Sequence, residues 1–414
     1  MPIGMKKTTL LFIVSLSIIS FFISCSPTRQ NDLDRIVDHA INTSLECMKR
    51  STKEVGSPSL YPTYGTKDLK WKLDSASNWV SGFYPGCLWY SYELSNDPRF
   101  KKWAEEWTAG IESQKYNNKT HDLGFRFGPS FGNGLRLASN DSATKRYKDI
   151  LLTAAATSDS RFFKPAGVYP SDWDAHPLPN SEPMVIDVMM DLHLMMWAAQ
   201  HGGDPAMMDR CRSHAGAAYR DLIRKDGGSF HIVRYDKDTG AVLGKGQLQG
   251  DTDSSTWSRG QAWMVYGLVV MYRYTKDPKY LQEDMNVADY FIDHLPKDQI
   301  ANWDFQSKLD HRDASASAVV ASALFELQSY LKDAQKKKYY LDEAEKILRS
   351  LCLPPYFSNG EGTNCLLLRS TQYFRQTDNT DVPSIFADYY FLESLVRYKR
   401  IRAGKAPVDL TANY

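Results

Sequence analysis

The sequence predicts an all-α protein built as an (α/α)6 toroid, and three observations predict it. A turn of one chemistry recurs at Asn96-Asp97-Pro98, Gly203-Asp204-Pro205 and Lys276-Asp277-Pro278. In each, the Asp side chain can accept from the free amides of a new helix while Pro fills its first turn, where no donor is needed. Each turn therefore marks a short link between two antiparallel helices. Around these links, apolar residues recur at i, i+3, i+4 and i+7 along about twelve segments, the spacing of one helical face. Alternate segments also differ in kind: one set is small and apolar nearly all round and the other carries a charged face, as expected of enclosed and outer helices.

In chain order, the first helix is expected near residues 32–50 and the second near 77–95, where Trp79-Val80-Ser81-Gly82-Phe83 has no polar side. The third starts at Pro98 and runs to about residue 115; the fourth and fifth fall near 130–139 and 142–157. The sixth is expected over 182–201, from Ser181-Glu182-Pro183 to the Asp204-Pro205 link, and the seventh over 204–223. The eighth, near 256–275, holds the enclosed run Arg259-Gly260-Gln261-Ala262-Trp263, and the ninth follows Pro278 to residue 293. The tenth, near 313–331, contains Ala314-Ser315-Ala316-Ser317-Ala318; the eleventh, 336–351, has a charged face; the twelfth spans 383–402. Six enclosed helices alternating with six outer ones is the toroid pattern, although hairpin repetition also suits an open helical solenoid. Gly228-Ser229-Phe230-His231-Ile232-Val233 followed by Asp238-Thr239-Gly240 reads as a short hairpin in a long connection.

No Pro/Gly/Ser-rich linker divides the chain, so residues 30–402 are expected to form a single domain with a tail at 403–414. A formal charge of +1 gives no global field to collect a polyanion such as nucleic acid, so an anionic substrate must be met by local groups. The start, Met5-Lys6-Lys7, an apolar run from Thr9 to Ile23, then Ser24-Cys25-Ser26, reads as a signal peptide over residues 1–25 with lipid attached at Cys25. A plain secreted protein cleaved nearby is the alternative. The absence of an acidic cluster after Cys25 favours the periplasm of a Gram-negative bacterium over the outer surface. The other cysteines, Cys47, Cys87, Cys211, Cys352 and Cys365, are odd in number and share no metal-binding spacing, so buried free thiols are expected rather than disulfides or zinc.

Aromatic residues make up 13% of the chain and cluster with Gly, Ser and Ala, which suits both a sugar-stacking cleft and a large aromatic core. Three segments could carry chemistry. His121-Asp122-Leu123-Gly124-Phe125 sets a polar pair against Gly and aromatics, although a capping Asp beside a surface His would look the same. Asp187 and Asp191, four residues apart in an apolar helix, must find partners or shift their pKa, whether for acid/base work or as buried structural acids. Arg259, near the start of an enclosed helix, could bind a carboxylate bidentately with Trp263 one turn on as a stacking wall, or could satisfy loop carbonyls. No nucleophile arrangement, phosphate loop or metal cluster stands out, and no cofactor is expected.

Together, His121-Asp122-Leu123-Gly124-Phe125, Val185-Ile186-Asp187 with Met189-Met190, Trp257-Ser258-Arg259-Gly260-Gln261-Ala262-Trp263, Asp313-Ala314-Ser315-Ala316-Ser317-Ala318 and Asp388-Tyr389-Tyr390-Phe391-Leu392-Glu393 resemble the unsaturated glucuronyl hydrolases of glycoside hydrolase family 88. The resemblance runs in order from about residue 60 to the C-terminus. It implies an (α/α)6 barrel acting on oligosaccharides whose non-reducing end bears the 4,5-unsaturated uronic acid left by polysaccharide lyases. The vinyl ether is hydrated, and the resulting hemiketal opens and expels the neighbouring sugar. By the same resemblance Asp187 is the acid and base, and Asp122 the second Asp that holds and polarises it. Trp79, Trp173 and Trp263 resemble stacking aromatics, and His231, Gln249 and Arg259 polar contacts around the uronate; His121 goes with Asp122, and Tyr373 is a candidate from the C-terminal region. Where the family often has Asn after the double Met, this chain has Asp191, which either raises the pKa of Asp187 by like charge or is itself a neutralised structural group. An unsaturated rhamnogalacturonyl hydrolase acting on pectin fragments is the nearest rival, and a non-catalytic glycan-binding lipoprotein is the rival of another class.

Overall fold

Each of the three Asp-Pro links caps a helix in the computed structural model: Asp97 accepts from the Arg99 amide at 3.0 Å, Asp204 from Ala206 at 3.0 Å and Asp277 from Lys279 at 3.1 Å. The structure describes residues 27–138, 140–374 and 379–409, together with Met1 and Tyr414; the leader and Cys25 lie outside the described residues. Thirteen α-helices are described: α1 (Pro27–Val55), α2 (Phe83–Ser95), α3 (Pro98–Gly110), α4 (Leu123–Phe127), α5 (Asn133–Arg136), α6 (Asp141–Asp159), α7 (Leu192–His201), α8 (Ala206–Leu222), α9 (Ser258–Thr275), α10 (Pro278–Asp293), α11 (Ala314–Tyr330), α12 (Ala334–Leu351) and α13 (Ile385–Arg402).

The enclosed helices close a ring. α2 packs on α13, α13 on α11, α11 on α9, α9 on α7 and the turn before it, α7 on α4, and the turn joining α4 to α5 packs back on α2. This is an (α/α)6 barrel, with α3, α6, α8, α10, α12 and α1 on its outside. α11 is buried from Ala314 through Gln328, whereas α12 buries only one stripe, including Tyr340, Ala344, Ile347 and Leu351. Between the enclosed helices, Arg273 of α9 holds Glu326 of α11 bidentately at 2.7 and 2.6 Å, and Arg397 of α13 approaches the same carboxylate at 3.2 Å. The five described cysteines are buried and free, as the sequence implies. Among the described residues no helix is long and apolar enough to cross a membrane.

The structure departs from the periodicity reading in three places. The expected second helix begins at Phe83, because residues 75–82 form turns. The fourth begins earlier, at Leu123, and passes through a π-turn at Gly128–Gly132 before α5. Pro129 there lacks the N–H that an α-ladder needs, so the ladder slips. The expected helix over 182–201 is instead a strand, β3 (Ser181–Val185), a 3-10 turn (Ile186–Met190) and then α7. β3 pairs antiparallel with β4 (Ile232–Asp236), which pairs with β5 (Val242–Gly246), the hairpin expected from Asp238-Thr239-Gly240. A second, two-stranded sheet precedes α2, formed by residues 61–65 and 71–74.

Candidate active site

The three-stranded sheet builds the surroundings of Asp187. Val185 at the end of β3 pairs with Ile232 at the start of β4, and Ile232 pairs with Gly246 at the end of β5. The residues just outside the ladder therefore converge: Asp187 leaves β3, His231 enters β4, and Gln247 to Gln249 leave β5. The ladder runs on into the site, with the Ile186 amide donating to the His231 carbonyl at 2.9 Å and the His231 amide to that of Gly246 at 3.0 Å. His231 Nε2 lies 3.2 Å from Asp187 Oδ2. The Gln249 amide donates to Nδ1 of the same ring at 3.2 Å, so Nδ1 is an acceptor and Nε2 is the nitrogen on the Asp187 side. Burial pushes the Asp187 carboxyl up, but the His231 contact and the charges of His121 and Arg259 outweigh it, holding Asp187 below the usual carboxylate range.

A second wall comes from the segment entering α4. His121 sits between two carboxylates: Nε2 is 3.3 Å from Asp122 Oδ1, Nδ1 bonds to Asp172, and the His121 amide donates to Asp172 at 2.7 Å. Thr120 Oγ1 donates to Asp122 Oδ2 at 2.8 Å. Burial disfavours a charged His121, but Asp122 and Asp172 outweigh it and raise the imidazole to about 10. Burial also works against a charged Asp172, and the His121 contact overrides it, lowering that carboxyl to about 2. His121, Asp122 and Asp172 bring ligand atoms within 4.8 Å of one another and so could hold a cation, but the protonated ring already occupies the position between the carboxylates.

Arg259 is 2% exposed and its fork is engaged. Nη1 donates to Asp313 and to the Thr371 carbonyl, and Nη2 to the Gln372 carbonyl at 2.6 Å and to Gln249 Oε1 at 3.2 Å. The loop-satisfying alternative therefore describes it, rather than a free bidentate clamp: it fixes Gln249 and the segment leading to Tyr373. Trp263 is likewise corrected. It is fully buried, packed on Phe125 and Tyr390 at 5.3 and 5.6 Å, and presents no face to a sugar. Trp79 and Trp173 keep exposed surface. Trp79 lies over Phe125 and Phe386 at 5.4 and 5.3 Å, and Trp173, 38% exposed, stands 6.0 Å from His231 and 6.3 Å from Tyr373.

Asp187 and Asp191 do not share a helical face. The 3-10 turn aims Asp187 at His231, while Asp191, 1% exposed, accepts from the Gly124 and Phe125 amides. Their carboxyls are driven apart: Asp191 is raised well above the usual range by burial and by Asp122. The direction of the Asp191 shift is that of the neutralised structural group, whereas Asp187 is held down beside His231.

Sequence reasoning missed Asp172 and the Arg234–Asp174 pair, and named Asp313 only within a motif, without a role. Arg234 of β4 grips Asp174 bidentately at 2.7 Å on both arms and so pins the loop carrying Trp173. Asp172-Trp173-Asp174, an aromatic flanked by two acids in a polar stretch, was the available signal. The assembled site sets Asp187 beside the His231 ring, next to the ion-paired His121 and two partly exposed indoles.

Comparison with known proteins shows the family. The model of Glycosyl Hydrolase Family 88 matches residues 51–363. An unsaturated glucuronyl hydrolase of Formosa agariphila is 38% identical over 332 residues, 79% of this chain and 81% of that protein. The solved structure of an unsaturated glucuronyl hydrolase specific for heparin superposes with a TM-score of 0.84 at 34% identity, covering 89% of this chain and 98% of that one. A variant of the Streptococcus agalactiae unsaturated glucuronyl hydrolase complexed with dGlcA-GalNAc6S superposes with a TM-score of 0.73 at 28% identity, covering 87% and 91%.

Proposed function

The chain belongs to glycoside hydrolase family 88, and from that premise we propose that it removes the 4,5-unsaturated uronic acid from the non-reducing end of lyase-generated glycosaminoglycan oligosaccharides. The observation that carries the reading is Asp187 placed 3.2 Å from His231 Nε2 and near the His121–Asp122 pair, with the partly exposed Trp173 beside His231. In the reaction, a proton passes from the Asp187 carboxyl to carbon 4 of the vinyl ether, and positive charge develops at carbon 5 beside the ring oxygen. Water adds at carbon 5 and returns a proton to Asp187. The hemiketal then opens and releases the neighbouring sugar, so the net change is addition of one water.

Asp187 rests as a carboxylate in the free protein, so the acid form has to be made on binding. The uronate brings a negative charge beside Asp187 and raises that carboxyl, because like charges disfavour joint ionisation. His231 stabilises the carboxylate again once the proton has gone, and His121 keeps Asp122 paired. Trp79 and Trp173 supply faces for sugar rings. The test is loss of the ultraviolet absorbance of the double bond in unsaturated disaccharides of chondroitin, hyaluronan, heparin and rhamnogalacturonan. Decay with a glycosaminoglycan product supports the reading, and decay confined to the rhamnogalacturonan product moves it to pectin.

We further propose that the chain is exported and lipid-anchored at Cys25 in the periplasm, a reading supported by the Lys6-Lys7 start and the apolar run that ends at Ser24-Cys25. Incorporation of labelled palmitate into wild type, but not into Cys25→Ala, is the expected result; equal labelling of both overturns it.

A further inference from the structure

Asp191 stands where the 3-10 turn carrying Asp187 meets α7, buried to 1% exposure. Its Oδ1 accepts from the amides of Gly124 at 2.5 Å and Phe125 at 3.2 Å, which lie in the first turn of α4, immediately after Asp122. The approach is so close that a Cβ at Gly124 would fall 2.4 Å from the Asp191 Cα. Its Oδ2 is buried with no hydrogen-bond partner among the described residues. A bare, buried carboxylate oxygen is costly, whereas a carboxyl group in the same place is far less so. The ionisable groups that face it are His121, Asp122 and Arg126 from the segment of α4 and Tyr390 from α13. Burial and Asp122 push its carboxyl up, against the pull of His121 and the two amides.

We propose that Asp191 is a positioning residue for Asp122: as a neutral carboxyl group it ties the backbone of α4 to the turn that carries Asp187, and so fixes the spacing of the two acids. The inference rests on the hydrolase reading for its kinetic part only. Neutrality matters because a second charge beside Asp122 would compete for the His121 imidazolium. The tie matters because both acids sit on short turns rather than on long helices, with Asp187 in a five-residue 3-10 turn and Asp122 opening a five-residue helix.

The experiment compares Asp191→Ala and Asp191→Asn in the full chain, by amide hydrogen exchange over residues 123–127 and by kcat and KM across pH. Asp191→Ala is expected to lose protection at Gly124 and Phe125 and to lose about 10- to 100-fold in kcat, with KM moved little, as expected when a catalytic group is misplaced. Asp191→Asn retains an acceptor without a charge, so it restores the protection and most of the kcat. Because it cannot ionise, it also holds its rate to higher pH than wild type. Asp191→Asn falling as far as Asp191→Ala at every pH overturns the neutral role, and Asp191→Ala with wild-type exchange and kcat overturns the tie. If the alanine variant fails to fold, Asp191→Asn still decides: wild-type protection and near-wild-type kcat support the neutral role, and loss of about 10-fold or more in kcat at every pH overturns it. Wild type inactive on every unsaturated disaccharide would sink the hydrolase reading and leave the exchange measurement intact.

Discussion

Replacing Arg259 with lysine keeps the positive charge and removes the fork. The guanidinium now makes four bonds through its two terminal nitrogens, to Asp313, the Thr371 and Gln372 carbonyls and Gln249 Oε1. An ammonium at the end of a straight chain can face Asp313, which is fully buried, but cannot reach all four acceptors at once. At least two bonds to neutral acceptors are lost, each worth about 1.5–3 kcal/mol because the donor is charged. Neighbouring losses do not simply add. The expected destabilisation is therefore about 2–4 kcal/mol, below the roughly 3–5 kcal/mol for Arg259→Ala, which strands a buried carboxylate. Urea unfolding followed by tryptophan fluorescence measures the first quantity. Initial rates on an unsaturated disaccharide measure the second: KM should rise more than kcat falls, because Gln249 and the Tyr373 segment lose their anchor. Unchanged stability with a collapse in kcat alone would refute the reasoning, since it would mean that the guanidinium acts on the reacting sugar and not on the loops.

Asp172→Asn takes one carboxylate from His121, whose raised pKa contributes stability that is complete below its ordinary 6.5 and is lost as pH rises through about 10. Thermal unfolding should show wild type ahead of the variant near neutrality and the gap closing above about pH 10; a constant gap counts against the imidazolium. Asp174→Ala frees the Trp173 loop from Arg234 and should raise KM several-fold with kcat nearly unchanged, measured by initial rates. Glu326→Ala leaves Arg273 and Arg397 buried without their shared carboxylate and should cost about 3–5 kcal/mol in urea unfolding. Glu326 is lowered to about 2 despite its burial, because the two arginines outweigh it, so its contribution holds above pH 4.5 and fades as pH falls through about 2.

The helical ring was legible because its signals are local. Asp97-Pro98, Asp204-Pro205 and Asp277-Pro278 each cap the helix they announce, and the apolar runs of α9 and α11 are enclosed as their lack of a polar face implies. β3 was not legible: Met184-Val185-Ile186 is apolar whether it lies in a helix or a buried strand, and its partner Ile232 is a distant part of the chain. The same non-locality hid the ties of the site. The Thr371 and Gln372 acceptors of Arg259 are main-chain carbonyls, which no side-chain pattern reports, and Asp172 meets His121 only because the barrel closes. Trp263 and Arg259 were identified as residues that matter, but which faces and donors remain open to a ligand depends on packing against Phe125, Asp313 and Gln249.

The central claim, that Asp187 protonates the vinyl ether, is tested most directly by Asp187→Asn on the best of the unsaturated disaccharides. The account predicts a folded variant that still binds the disaccharide while decay of the double-bond absorbance slows by about 10²- to 10⁴-fold, the usual worth of a positioned acid and base. Decay at the wild-type rate would contradict it.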